Sequence, residues 1–158
     1  AALPSRHGTF VVLGNHDLEA GRGELISDLA RETGVHLLRN EIHEMPHAGL
    51  AVAGLEVPWQ GQEPPVPDTE LPLLGLAHSP DAVFALARLG VRVAVCGHTH
   101  GGALRPPLFG PMGVPSRLGR AMAYGVFRKD DTWLVVTSGA GRPLPHTSAK
   151  PELLMLEL

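Results

Sequence analysis

Short apolar runs alternate with glycine- and proline-rich breaks along this chain. Residues 9–13 (TFVVL), 35–39, 50–57, 73–77 and 91–96 are apolar stretches of strand length. Their valine and leucine content and the glycines and prolines that bound them favour strands over helices. Two segments carry a different period. In residues 23–32, Leu25, Ile26 and Leu29 fall at helical spacing, and Gly34 stands where a left-handed C-cap belongs. Ser79-Pro80-Asp81 opens a second helix, with serine as cap, proline in the first turn and aspartate at the positive end of the dipole. That helix is predicted to reach residue 89. Residues 122–127 and 133–137 predict a hairpin turned at Lys129-Asp130-Asp131, and residues 153–158 predict a last strand. Residues 58–72 and 101–119 read as long loops. The alternation predicts an α+β or α/β class.

Composition changes this picture little. The 158 residues are about one domain's length, and no linker divides them, so residues 1–158 are read as a single domain. With 44% hydrophobic and 18% charged residues, the chain can bury a core. A net charge of −3 and the absence of a basic run give no sign of a nucleic-acid partner. Cys96 is the only cysteine, which excludes an internal disulfide. The cellular address is left open, cytoplasmic or membrane-associated, and the chain begins with Ala1 rather than methionine.

The ends of three predicted strands carry the chemistry. Strand 9–13 runs into Gly14-Asn15-His16-Asp17, strand 73–77 into His78, and strand 91–96 into Gly97-His98-Thr99-His100. Each delivers a metal-capable side chain at the carboxyl end of a buried strand, the edge where layered α/β folds build their sites. If the chain stays extended after Cys96, His98 and His100 point the same way. Imidazole nitrogens with an amide oxygen suit zinc, manganese or iron better than calcium.

"GNHD", "AHSPD" and "GHTHGG", in this order, resemble the second half of a calcineurin-like metallophosphoesterase. "YGVF", "TSGAG" and "KPELLMLEL" resemble its branch of YkuE-like and YaeI-like phosphodiesterases. The resemblance implies part of a four-layer α-β-β-α sandwich with two divalent metals at the strand ends. It implies that Asn15, His78 and His98 bind one metal, that His100 reaches the other, and that His16, assisted by Asp17, sits beside the substrate phosphate. The substrate would be a phosphomonoester or phosphodiester, hydrolysed by metal-activated water.

The family pattern also opens with Asp-x-His and Gly-Asp, which complete the two-metal site. Neither occurs here. The expectation is therefore a truncated domain lacking its N-terminal strands, which alone holds at most one metal and is nearly inactive. The alternative is a non-catalytic fragment. A metallo-β-lactamase-like enzyme expects His-x-His-x-Asp-His, whereas Gly101 and Gly102 follow His100.

Lesser candidates complete the reading. Pro46 argues against a helix that would align His43 with His47. His7, His36 and His146 read as surface residues. Arg105, Arg117, Arg120 and Arg142 flank glycine-rich loops and are candidate phosphate contacts. Leu108, Phe109, Met112 and Val114 lie in a loop that cannot be regular helix. They either pack on the domain's own core or rim the site, where they would suit a lipid-linked ester or contact with a membrane.

Overall fold

The computed structural model describes residues 5–56, 66–102, 106, 108–141 and 150–157. His146, Arg105 and Arg142 lie outside them. Strands β1 (Phe10–Val11) and β2 (His36–Leu37) pair in parallel as a small sheet. The larger sheet contains β3 (Glu41–Met45), β4 (Leu50–Leu55), β5 (Leu73–Ala77), β6 (Val93–Cys96), β7 (Gly125–Lys129) and β8 (Thr132–Val136). Its order is β3-β4-β5-β6-β8-β7, with β4, β5, β6 and β8 parallel and both edge strands antiparallel. Among the described residues the α-helices are α1 (Asn15–Glu19), α2 (Gly23–Thr33) and α3 (Val83–Arg88), with short 3-10 helices at Pro46–Ala48, Pro80–Ala82 and Gly119–Met122.

The apolar runs are nearly continuous because the large sheet is covered on both faces. On one face, Val83 and Leu86 of α3 pack on Ala51, Ala53, Leu73, Ala77, Ala94 and Leu134. Alanines there let the helix approach closely. On the other face, Val52, Leu74 and Leu76 meet Phe10, Val12 and Leu38 from the small sheet. Helix α2 in turn contacts β2. The layers thus run α3, large sheet, small sheet, α2, which is the α-β-β-α order the motifs implied.

Two features hold the sheets together. A Cβ on Gly54 would collide with Leu38, so β4 approaches the small sheet only because residue 54 has no side chain. Gly54→Ala is expected to lower unfolding free energy by about 1–3 kcal/mol through overpacking. A drop in the urea midpoint at unchanged slope checks it. The second feature is polar. Glu56, 5% exposed at the end of β4, accepts from Arg39 Nε at 2.7 Å, and its backbone N–H donates to Asn40 Oδ1 at 3.0 Å. Arg39 Nη1 also reaches Glu24 on α2 at 3.2 Å. The hydrogen bond to Glu56 raises the Arg39 pKa above its ordinary value.

Several expectations change. Strand 9–13 shortens to Phe10–Val11 and strand 35–39 to His36–Leu37. The helix after Ser79 is two pieces: a single 3-10 turn, Pro80–Ala82, and then α3. Strand β3 was not expected, because EIHEM is half charged and lies at an edge with β4 as its strand partner. The expected final strand is absent from residues 151–157. Leu153 and Met155 are exposed there, and the segment is held instead at Glu152, which accepts from Thr137 Oγ1, the Ser138 N–H and the Tyr124 hydroxyl. Those bonds keep the Glu152 carboxyl below its usual range, although burial alone would raise it. His36 is half-buried rather than a surface residue, its ring stacked on Phe10 and tilted against His43.

Candidate functional site

At the carboxyl ends of β5 and β6, side chains from three segments meet. His78 follows β5, and its Nε2 lies 3.0 Å from Asn15 Oδ1 and 2.8 Å from His98 Nδ1. Asn15 is the first residue of α1, and His98 follows β6 by two positions. One amide oxygen and two imidazole nitrogens therefore converge on one point. A proton on His78 Nε2 can serve both neighbours, and the same three lone pairs suit a cation.

Local sequence explains the convergence. Gly14 must lack a side chain, because a Cβ there would lie 2.9 Å from the His78 ring. Its N–H donates to Asp17 Oδ2 at 2.9 Å, so the Asp17 carboxylate fixes the start of α1. Asn15 turns its carbonyl oxygen toward His78 because its Nδ2 donates to Glu19 Oε1 at 3.3 Å. Glu19 Oε2 also lies 3.7 Å from His16 Nδ1. Sequence reading missed Glu19. A helix over "NHDLE" was the available signal, since positions i and i+4 share a face.

The chain does not stay extended after Cys96. His98 and His100 have φ of +69° and +51°, a left-handed conformation that side chains other than glycine adopt at a cost. Strand alternation therefore does not align them. His98 instead reaches His78 through this turn, and its ring also hydrogen-bonds the Pro115 carbonyl. His100 lies close enough to lower the proton affinity of both rings. Its Nδ1 is buried with no hydrogen-bond partner among the described residues.

The two touching rings are held neutral. Burial, reinforced by His98, pushes the His78 pKa down to about 4. Burial also lowers that of His98, against the opposing pull of the Pro115 bond and Asp81. At neutral pH both rings keep lone pairs free for a metal. Among the described residues no three His, Cys, Asp or Glu side chains gather as a metal site, so the third donor here is an amide. The buried orphan nitrogen of His100 and the neutral O,N,N donors fit a divalent transition metal.

The remaining site residues differ in exposure. The His16 side chain is 92% exposed beside the cluster. A cavity of about 380 Å³ is lined by Asn15 and His98 together with Asp81, Pro115, Ser116 and Arg117. The end of the loop expected as a rim is thus beside the cluster, while Leu108 and Phe109 stand exposed. Cys96 is buried, and burial pushes its thiol up to about 12. It should resist iodoacetamide at pH 8 until urea unfolds the chain, as mass spectrometry would read out.

Donors of this kind at these strand ends suit a metal ion, and three known proteins are similar to this chain over nearly all of its length. The chain is 33% identical over 95% of its length to phosphodiesterase YaeI of Escherichia coli. It is 28% identical over 99% of its length to metallophosphoesterase YkuE of Bacillus subtilis, and 27% identical over 98% to metallophosphoesterase Cj0846 of Campylobacter jejuni. It spans 58% of the length of the first two and 43% of the third. No family model and no solved structure matches. Over nearly its whole length the chain is thus similar to one protein named a phosphodiesterase and two named metallophosphoesterases, the resemblance that the motifs indicated.

Proposed function

We propose that this chain carries the Asn-His-His half of a metal-dependent phosphoesterase centre. The observation that supports this best is the meeting of Asn15 Oδ1, His78 Nε2 and His98 Nδ1 within hydrogen-bond distance at the strand ends. These three residues hold one divalent cation, manganese, zinc or iron, and the buried nitrogen of His100 is the donor toward a second. Such metals lower the pKa of bound water and neutralise charge on a phosphate ester. Asn15 contributes an oxygen without adding negative charge beside an anionic substrate. His16 is free to reach the leaving oxygen and give it a proton, with Glu19 steadying its Nδ1. Asp17 assists by fixing α1, which carries both Asn15 and His16.

In a protein that carries the complete two-metal site, His16→Ala is expected to leave metal content unchanged and to lower turnover of a chromogenic phosphodiester by about 10²–10⁴-fold. Loss of a metal equivalent in elemental analysis would instead make His16 a ligand.

The competing reading is a non-catalytic fragment that binds a single metal. It is favoured by one observation: three donors meet at one point, while His100 stands outside that group. Metal stoichiometry measured together with phosphodiester turnover separates the two readings.

The substrate is a phosphomonoester or phosphodiester, and exposed Leu108 and Phe109 favour a lipid-linked one. Phe109→Ser with Met112→Ser should then reduce turnover of a lipid-linked phosphodiester more than that of a water-soluble one. Equal losses would remove the lipid.

A further inference from the structure

Asp81 reaches across 35 residues of sequence to organise a loop. Its Oδ1 accepts from Ser116 Oγ at 2.7 Å and from the Leu118 N–H at 3.2 Å, and its Oδ2 accepts from the Arg117 N–H at 3.1 Å. Asp81 stands three residues after His78, in the turn that Ser79 caps. The turn that presents His78 therefore also sets the position of residues 116–118. A second tether is the bond between the His98 ring and the Pro115 carbonyl. The loop is thus fixed to the His98 ring and to the turn that follows His78.

Arg117 is the residue this clamp delivers. It lines a cavity that Asn15 and His98 of the cluster also line. Its guanidinium makes no ion pair with a carboxylate among the described residues. Asp81, the carboxylate that lines the same cavity, is already engaged by two backbone N–H groups and a hydroxyl. No other acidic residue stands between Asp81 and Asp130 in the sequence. A guanidinium without an acidic partner beside this cavity presents the planar donor fork that matches phosphate oxygens.

We propose that Arg117 is a substrate-binding residue that grips non-reacting oxygens of the phosphate group, and that Asp81 is the positioning residue that aims it. The proposal rests on the phosphoesterase reading for its ligand class but not for its test. Inorganic phosphate is titrated calorimetrically into the chain with and without manganese, and manganese binding is measured separately. Arg117→Ala should weaken phosphate binding about tenfold or more while manganese affinity stays unchanged. Arg117→Lys should recover part of the loss, because it restores charge without the fork. Asp81→Asn should weaken phosphate binding less, and should speed hydrogen exchange at the Arg117 and Leu118 amides. Phosphate affinity unchanged in Arg117→Ala, or no phosphate binding by the parent chain in either condition, overturns the proposal. Absence of manganese binding in the parent chain counts against the metal reading alone, and the metal-free phosphate titration still decides Arg117.

Discussion

His78→Ala is expected to reduce manganese or zinc affinity by at least about 100-fold, more than any other single change at the cluster. Outer-sphere partners of a metal typically change affinity about 10–100-fold, and His78 is proposed as a direct ligand. Its Nε2 is the atom that touches both Asn15 Oδ1 and His98 Nδ1, so its loss separates the other two donors as well as removing one. Asn15→Ala removes a single donor and should cost less. Glu19→Gln should cost least, since Asn15 Nδ2 keeps an acceptor. Isothermal titration of the three variants orders them. A ranking with His78→Ala weakest in effect would mean that the cluster is only a hydrogen-bonded trio.

The second large effect concerns stability. Arg39→Ala should lower unfolding free energy by about 3 kcal/mol, because it leaves the Glu56 carboxylate buried without its cation. The value sits at the low end for buried pairs because Arg39 is itself 37% exposed, so water screens the pair. The loss also disconnects α2 from β4, since Arg39 bridges Glu24 and Glu56. Arg39→Lys should recover only part of it, because a lysine cannot spread two directed donors over two carboxylates. Urea denaturation of the three proteins tests this. A change below about 0.5 kcal/mol, the size of an ordinary surface substitution, would show that Glu56 needs no partner.

What the sequence revealed depended on range. The parallel core strands were legible because burial on both faces leaves an apolar run, as in Leu73–Ala77. Gly34 was legible as a left-handed cap, and its φ is +70°. Strand β3 was hidden because an edge strand needs little apolar content. The run over residues 153–158 misled because its alternation resembles a strand, whereas the segment is anchored just before it, through Glu152 and the Lys150 carbonyl. At the site, three donor-bearing strand ends were visible and the structure brings Asn15, His78 and His98 together. The way His98 gets there was not visible, because a left-handed non-glycine residue has no local sequence mark. Asp81 read as a helix-dipole residue, and its hold on residues 116–118 depends on tertiary packing.

The central claim is that Asn15, His78 and His98 hold a divalent metal. Crystals of the chain soaked in manganese or zinc, with anomalous difference maps at the metal edge, test it most directly. The expected peak lies about 2.0–2.2 Å from Asn15 Oδ1, His78 Nε2 and His98 Nδ1, ordinary ligand distances for zinc. A metal peak bound elsewhere, with His78 and His98 still hydrogen-bonded to each other, would contradict it.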